Sequence, residues 1–221
     1  MSEVRPIRVL VVDDDPLLCT GMRYLIGAGS KGEIEVVATA HNGKEAITAV
    51  LAHRPDVVLM DIAMPVMDGL TATARIREMA EPPQVLVITT FDAEDEPIRA
   101  AAAGASGFLL KSEGPREIIG AIRAVAAGEG ALSRRTARQL LDHVGASEQS
   151  QERQRARVLV ARLTERELAV ARLVARGYSN AEVAAELHLS ESTVKTHLTA
   201  AQEKLGAKNR VMVAVEVTRA R

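Results

Sequence analysis

Charged and hydroxyl side chains end four short apolar runs of this 221-residue sequence. Asp13 and Asp14 follow the first run, Asp61 follows another, Thr89 ends a third, and Lys111 follows a fourth. If the runs are strands of a parallel sheet, their carboxyl ends lie at one edge, where open α/β sheets bind ligands. We therefore expect these side chains to share one site.

These residue types predict phosphoryl chemistry. Crowded carboxylates raise one another's pKa unless a cation lies among them, and oxygen ligands without His or Cys favour Mg²⁺ or Mn²⁺. The ammonium of Lys111 and the hydroxyl of Thr89 suit phosphoryl oxygens. Asp61 is ionised at neutral pH, since its reference pKa is about 3.9, and needs no base to act as a nucleophile. The pattern predicts transfer of a phosphoryl group to Asp61.

Alternating strands and helices are predicted to position these residues. The strands are Ile7–Val12, Glu35–Ala40, Val57–Asp61, Gln84–Thr89 and Gly107–Leu110, and the helices run from Pro16 to about Gly27, Gly43–His53, and approximately Gly69–Met79, Ala93–Ala103 and Pro115–Ala127. With right-handed crossovers, this (βα)5 order predicts an α/β, doubly wound sheet with helices on both faces.

Residues 5 to 128 resemble the receiver domain of two-component response regulators. The motifs that carry the resemblance are Asp13-Asp14, Asp61, Met64-Pro65-Val66-Met67-Asp68-Gly69, Thr89 and Gly107-Phe108-Leu109-Leu110-Lys111. The resemblance implies that Asp61 is the phosphoacceptor and that Asp14, Asp61 and the Ala63 carbonyl hold Mg²⁺, with Asp13 assisting through water. It also implies that Thr89 and Phe108 switch position when Asp61 carries phosphate, with Lys111 at the phosphate.

Composition predicts a soluble cytoplasmic protein. The single cysteine excludes an internal disulfide framework, which fits a reducing compartment. No apolar run is long enough to cross a bilayer, and the N-terminal residues lack a secretory apolar segment, so no membrane partner is expected. Residues 1–130 carry 12 Lys/Arg against 19 Asp/Glu, whereas residues 158–221 carry 10 against 7, so a polyanion is expected to bind the second half.

The chain is predicted to divide into residues 1–130, a partly helical linker at 131–158, and a small all-α domain at 159–221. A helix is expected over Leu132–Asp142. The polar stretch Gly145–Arg157 has alanine as its only apolar residue, which favours a linker, although a polar helix that bridges two domains is nearly as well supported.

The second half reads as a helix-turn-helix. Thr164 with Glu167, and Ser179 with Glu182, form capping-box patterns, with the first helix running to Gly177 and the second to Leu187. Ser190 begins a third helix, Glu191–Leu205, in which Val194, Leu198, Ala201 and Leu205 form the buried stripe. Lys195, Thr196, Thr199 and Gln202 then face outward, with His197 beside them, where they suit base edges and phosphates.

Residues 160 to 218 resemble the LuxR-type helix-turn-helix of NarL/FixJ response regulators. The matching segments are Leu163 to Glu167, Gly177 to Ala184, Ser190 to His197 and Lys204 to Ala207. The resemblance implies that Lys195, Thr196 and Thr199 face the DNA groove. Val213 and Val217 of a last helix, Val211–Thr218, are either exposed for dimer contact or packed on the third helix.

The combined expectation is a transcription regulator switched by phosphorylation, not an enzyme. Its expected partners are DNA, a sensor histidine kinase, a second copy of the chain when phosphorylated, and RNA polymerase. A constitutive DNA-binding regulator that uses the receiver-like domain only as a dimerisation platform is the alternative. A phosphatase of the haloacid dehalogenase class is disfavoured, because Ala63 stands where such an enzyme needs a second Asp as general acid.

Overall fold

The computed structural model describes residues 5–90, 96–134, 136–138 and 150–220. Its first part is the predicted α/β fold. The strands are β1 (Ile7–Val12), β2 (Ile34–Ala40), β3 (Val57–Met60), β4 (Gln84–Thr89), β5 (Gly107–Leu110) and β6 (Ala131–Leu132), and the helices are α1 (Pro16–Ser30), α2 (Gly43–His53), α3 (Gly69–Arg77), α4 (Glu96–Ala102) and α5 (Pro115–Ala126). The predicted start of α4 at Ala93 lies outside the described residues.

The sheet is parallel, with strand order β2-β1-β3-β4-β5-β6. Buried Val, Leu, Ile and Met side chains fill both faces of its central strands, as expected for a parallel sheet that is covered by helices on both sides. One apolar layer contains Phe108 and packs with α2 and α3, and the other packs with α1 and α5. The predicted fold class is confirmed.

The sixth strand was not predicted from the sequence. Ala131 and Leu132 pair with Gly107 and Phe108, so the predicted start of a helix at Leu132 is wrong. Residues 134 and 136–138 are helical, and the rest of that predicted helix lies outside the described residues. A two-residue strand is too short for an alternating pattern, which explains why it was missed.

The second part consists of helices in the part of it that the structure describes. They are α6 (Ser150–Val160), α7 (Glu165–Val174), α8 (Asn180–Leu187), α9 (Glu191–Leu205) and α10 (Arg210–Arg219). Helix α6 shows that the polar stretch is helical where it is described, which was the second alternative. Both capping boxes are present, and Ser190 caps α9, as predicted.

One prediction about this helical part needs correction, and one open alternative is decided. Helix α7 ends at Val174, and Gly177 adopts its left-handed φ of 79° only after an additional turn. Val213 and Val217 are not exposed: both are buried in the core of the helical part. Packing, rather than an open dimer face, is therefore the role that the structure gives these two valines.

The two parts meet at a seam formed by Ala101, Ala105, Glu129, Asn209 and Arg210. The Nδ2 of Asn209 donates to the carbonyl oxygens of Ala101, at 3.0 Å, and Ala105, at 2.8 Å. The Nη1 of Arg210 donates to the Glu129 carbonyl at 3.2 Å. The side chain of Ala101 also belongs to the apolar cluster of the helical part. Helix α10 is thus held against the end of α4.

One charged contact supports the helix-turn-helix from within. The carboxylate of Glu167, in the capping box of α7, accepts two hydrogen bonds from the Lys204 ammonium, at 2.8 and 2.6 Å. These hydrogen bonds hold the pKa of Glu167 below its ordinary value. We expect Glu167→Gln to lower the free energy of unfolding by about 1–2 kcal/mol at pH 7, because Lys204 is partly exposed and solvent screens the pair.

The pH dependence provides the check. A carboxylate whose pKa is lowered by folding contributes its stability above the unfolded pKa of about 4.3, and the contribution is lost as pH falls through the folded value. The difference in melting temperature between the parent and Glu167→Gln should therefore be full at pH 7 and shrink below about pH 4. The exposed Glu186 provides the control, since Glu186→Gln should show no such difference at any pH. A constant difference would contradict the pairing.

Candidate functional site

The carboxyl edge of the sheet carries the predicted acidic cluster. The Lys111 ammonium lies 2.7 Å from Oδ2 of Asp13 and 3.0 Å from Oδ2 of Asp61. Asp13 and Asp61 are 1% and 3% exposed, whereas Asp14 is exposed at the mouth of the site. The first-strand acids, Asp61 and Lys111 therefore lie on the same rim of the sheet, as expected.

The sheet itself places these side chains. The backbone amide of Asp61 donates to the Val12 carbonyl at 2.9 Å, and the amide of Lys111 donates to the Thr89 carbonyl at 2.7 Å. Each site residue thus extends the hydrogen-bonded ladder by one position beyond its strand. The carboxylates cannot move apart without breaking the register of the buried strands.

The acidic cluster contains more negative than positive charge. Burial raises the pKa of Asp61 above its ordinary value, and the Lys111 ammonium opposes that effect. Burial alone would lower the pKa of Lys111, but its hydrogen bonds to Asp13 and Asp61 raise it. Two buried carboxylates therefore share one ammonium, with the Asp14 carboxylate close by, which favours binding of a further cation.

The donor set suits a magnesium ion. One carboxylate oxygen from each of Asp13, Asp14 and Asp61 can be chosen so that all lie within 4.8 Å of one another. Hard oxygen ligands close to such a spacing match the small, octahedral Mg²⁺ ion, which also keeps several waters. The acidic pocket characteristic of the magnesium sites of receiver domains is therefore present in this chain.

The loop after Asp61 is folded tightly around the site. The Ile62 carbonyl accepts the amides of Met64 and Gly69, and this turn leaves Ala63 exposed beside the acids. Val66 adopts a φ of 68°, which is strained for a β-branched residue, and its side chain is 74% exposed. A Cβ on Gly69 would lie 1.8 Å from the Asp61 carbonyl oxygen. Only glycine fits at this position.

Thr89 has a partner that the sequence did not reveal. Its hydroxyl donates to Oε2 of Glu96, in the first turn of α4, at 3.4 Å, and both side chains are buried. The only available signal was an acidic residue in the first turn of a helix, which is common without such a contact. Phe108, in contrast, lies fully buried inside the sheet core.

Helix α9 presents the predicted surface. Val194, Leu198, Ala201 and Leu205 are its buried residues, as expected from their spacing. Lys195, Thr196 and Thr199 are exposed, whereas His197 and Gln202 are half-buried. The Thr196 hydroxyl donates to the Ser192 carbonyl within the helix at 3.0 Å.

Lys195 is engaged by the α/β part. Its ammonium lies 2.7 Å from Oε1 of Glu129, and this hydrogen bond raises the pKa of Lys195. The lysine among the predicted DNA contacts of α9 is therefore bound to a carboxylate of the seam. Sequence patterns gave no sign of this pair, because it joins residues from two separately folded parts of the chain.

None of the described helices is long and apolar enough to cross a membrane.

Comparison with known proteins gives matches to both parts. Residues 9–123 match the response regulator receiver domain, and residues 161–217 match the bacterial regulatory proteins of the luxR family. The nitrate/nitrite response regulator protein NarL of Escherichia coli (strain K12) is 35% identical over 217 residues, which cover 98% of this chain and 97% of that protein. The transcriptional regulatory protein LiaR of Bacillus subtilis (strain 168) is 35% identical over 212 residues, covering 95% of each.

A solved structure shows the same architecture over nearly the whole length. The crystal structure of the response regulator ChrA, from a heme-sensing two-component system, matches with a TM-score of 0.55 at 34% identity and covers 96% of each chain. A parallel sheet with an acidic pocket, joined to a helix-turn-helix, defines the class as a two-component response regulator that controls transcription. Within this class, the chain belongs to the NarL/LuxR-type response regulators.

Proposed function

We propose that Asp61 accepts a phosphoryl group from a sensor histidine kinase, or from a small phosphodonor, and that this modification controls DNA binding by α9. The ammonium of Lys111, which bridges Asp61 and Asp13, carries the proposal. A carboxylate oxygen of Asp61 attacks phosphorus, the bond from phosphorus to the donor breaks, and the donor leaves with the electron pair. Lys111 then pairs with a phosphoryl oxygen, as its position beside Asp61 permits.

The acids at the site would hold the magnesium ion. Asp14, Asp61 and the Ala63 carbonyl are its proposed ligands, with Asp13 acting through water. When bound, the ion supplies positive charge to the phosphoryl oxygens during transfer. The buried strands beneath the acids fix the position of Asp61, whose amide is held by the Val12 carbonyl.

Thr89 and Phe108 are the proposed switch residues. The phosphoryl group adds a charge of about −1.5 to −2 and strong hydrogen-bond acceptors beside β4. Thr89 can donate its hydroxyl to those oxygens only by leaving Glu96, and Glu96 begins α4. Because α4 contacts α10 through the seam, the exchange of partners links Asp61 to the helical part.

An exposed apolar surface beside the acids suits a docking kinase. Leu17 and Tyr24 lie two turns apart on α1 and are 78% and 79% exposed, and Val66 projects from the loop that follows Asp61. Large exposed apolar side chains around a polar site are typical of protein contacts. A kinase that covers these residues would bring its phosphorylated histidine to Asp61.

The proposed DNA contacts are Lys195, Thr196, Thr199, His197 and Gln202, all on α9. Their exposed or half-buried side chains can reach base edges and phosphates once Lys195 leaves Glu129. The phosphorylated protein is proposed to bind two DNA half-sites as a homodimer and to contact RNA polymerase. Its proposed location is the cytoplasm.

The direct test uses acetyl phosphate and the full-length protein. Phosphate incorporation with Mg²⁺, followed by a gel shift on DNA that the protein selects from genomic fragments, should show tighter binding after phosphorylation. Removal of Mg²⁺ with EDTA should abolish both effects. Equal DNA affinity with and without incorporated phosphate would instead support the dimerisation-platform alternative, and sustained hydrolysis of a chromogenic phosphate ester would support a phosphatase.

The contact between Lys195 and Glu129 makes a separate prediction. Glu129→Gln removes the carboxylate charge and frees Lys195, so the unphosphorylated variant should bind the selected DNA more tightly, by about two- to fivefold, as expected for an exposed ion pair. Fluorescence anisotropy at fixed salt measures the change. Glu33→Gln is the matched control, because Glu33 forms an exposed ion pair with Arg123 away from α9. A gain of the same size in both variants would contradict the specific role of Glu129.

A further inference from the structure

A cavity of about 630 Å³ lies where the two parts of the chain meet. The loop after β5 and helix α5 form one side, and the residues around Tyr178 and Asn180, together with Arg210, form the other. Its apolar wall includes Leu109, Ala121 and Leu132. This volume is within the range of small-molecule sites in proteins, which is about 300–1,000 Å³.

The cavity collects the buried polar atoms of the described ranges that have neither a hydrogen-bond nor an ion-pair partner. They are both carboxylate oxygens of Glu113, the Nδ2 of Asn180 and the Nε of Arg210, and all three residues line the cavity. Oδ2 of Asp13, at the acidic site, is buried as well, but the Lys111 ammonium is its partner at 2.7 Å. Buried polar groups without partners are costly, so a concentration of them in one cavity points to a ligand.

Arg210 is the central group of this cavity. It is 3% exposed, and its Nη1 donates to Oδ1 of Asn180 at 3.1 Å and to the Glu129 carbonyl, while its Nη2 donates to the Tyr178 carbonyl. All of these acceptors are uncharged. The carboxylates of Glu129 and Glu182 favour the charged form of Arg210 through space, although they pair with Lys195 and Arg134. Burial is the larger effect and lowers the pKa of Arg210 to about 10, so the guanidinium remains charged at neutral pH. Its buried Nε is a charged donor that still lacks an acceptor, and an anionic acceptor suits it best.

Asn180 adds a second donor that needs an acceptor on the same side of the cavity as Arg210. It is 1% exposed, and its Oδ1 is occupied by Arg210, so its Nδ2 remains as a second unpartnered donor. Across the cavity, the Glu113 carboxylate offers two acceptor oxygens and no donor. The polar requirements of the cavity are therefore an anionic acceptor on one side and a cationic donor on the other.

Simpler ligands satisfy only part of this arrangement. A plain carboxylate would pair with Arg210 and Asn180 but leave Glu113 unpartnered. A plain amine would satisfy Glu113 and leave the Nε of Arg210 and the Nδ2 of Asn180 without an acceptor. Water could donate and accept but would not use the apolar wall. A zwitterion with an apolar body satisfies all three features at once.

We propose that this cavity binds a zwitterionic, apolar ligand of the amino-acid type, either a free hydrophobic amino acid or a short peptide with free termini. Its carboxylate pairs with Arg210 and Asn180, its ammonium pairs with Glu113, and its side chain packs on the apolar wall. Because the ligand contacts both parts of the chain, it stabilises the arrangement in which they are joined.

Calorimetric titration of the full-length protein tests the binding. L-leucine and L-leucyl-L-leucine are the two zwitterions, and they distinguish an amino acid from a peptide as the source. N-acetyl-L-leucine lacks the ammonium, and L-leucinamide lacks the carboxylate. We expect one zwitterion to bind with a dissociation constant of about 1 mM or lower, and both blocked compounds to bind at least about tenfold more weakly. A lack of saturable binding by both zwitterions would overturn the proposal and leave a cavity filled by solvent.

Two near-isosteric variants locate the binding. Asn180→Asp keeps the acceptor for Arg210, removes the Nδ2 donor and adds a carboxylate, so it should abolish ligand binding while the melting temperature stays the same or rises. Glu113→Gln removes the charge that faces the ammonium and should weaken binding about tenfold. Glu165→Gln, on the exposed surface of α7, is the control and should bind as the parent does. Undiminished binding by both cavity variants would place the ligand elsewhere and refute the assignment.

A second experiment measures DNA binding in the presence of the ligand. Only this experiment rests on the proposed function. A ligand that favours the joined arrangement should lower the affinity of the unphosphorylated protein for its selected DNA. If calorimetry shows binding and DNA affinity does not change, the site exists without a regulatory role. If the protein binds no DNA in any condition, the proposed function is contradicted. The calorimetric titration still shows whether the cavity binds the ligand.

Discussion

Asp61→Asn should reduce phosphate incorporation from acetyl phosphate to background and should remove the dependence of DNA affinity on the phosphodonor. The asparagine side chain has no nucleophilic carboxylate, so it cannot accept the phosphoryl group at neutral pH. The Oδ2 of Asp61 lies 3.0 Å from the Lys111 ammonium, which is the position expected for the phosphoacceptor. Mass spectrometry of the intact protein measures the incorporation, and a gel shift measures the DNA affinity. We also expect a higher melting temperature, since the folded chain raises the pKa of Asp61 and the ionised form opposes folding at neutral pH.

Asp15→Asn is the matched control for this substitution. Asp15 lies beside the cluster but is exposed, and its side chain caps α1 by accepting the amide of Leu17. Asparagine caps a helix about as well as aspartate, so this variant should keep both phosphorylation and stability. Full phosphate incorporation in Asp61→Asn, or a loss in Asp15→Asn as well, would contradict the assignment of Asp61 as the phosphoacceptor.

Gly69→Ala should have the second large effect. Its Cβ would lie 1.8 Å from the Asp61 carbonyl oxygen and 3.1 Å from the Cα of Ile62, so the start of α3 must move away from the site. We expect the free energy of unfolding to fall by about 3 kcal/mol, at the upper end for an overpacked position. Phosphate incorporation should fall as well, because the new Cβ presses on the backbone of Asp61 itself. Chemical denaturation and incorporation by the same preparation measure both effects.

Gly21→Ala distinguishes this contact from a general effect of replacing glycine. Gly21 lies on the exposed side of α1, and a Cβ there would meet nothing within 4 Å. Alanine is the better helix former, so this variant should gain about 0.5–1 kcal/mol. A Gly69→Ala protein as stable as the parent would show that the loop after Asp61 can relax. The contact between residue 69 and the Asp61 carbonyl would then not be needed for the site.

Local patterns predicted the α/β part of the chain because its elements are regular and strongly apolar. Runs such as Val57–Met60 are buried on both faces, and their carboxyl ends determine where Asp13, Asp61 and Lys111 must lie. The buried stripe of α9 followed from helical spacing in the same way. In these cases, the local sequence and the tertiary environment favour the same structure.

The features that were missed depend on contacts between distant residues. The strand β6 has two residues and is stabilised only by its pairing with β5. Of the two alternatives for Val213 and Val217, the structure supports packing rather than exposure, because α10 is covered by several other elements, among them α4 of the other part. The contacts of Thr89 with Glu96, and of Lys195 with Glu129, likewise require the folded arrangement. A single sequence without aligned relatives carries no signal for such pairs.

The seam also limits the dynamic range of the regulator. Asn209 and Arg210 form their hydrogen bonds with Ala101, Ala105 and Glu129 only while the parts are joined. If these bonds keep 99 molecules in 100 in the joined form, complete release can raise apparent DNA affinity by about 100-fold and no further. Under the proposed function, a weaker seam gives more DNA binding at rest and a smaller response to phosphorylation. The side chains that hold the joined form, Asn209 and Arg210, are thus on the helical part, whereas the proposed phosphoacceptor is on the other.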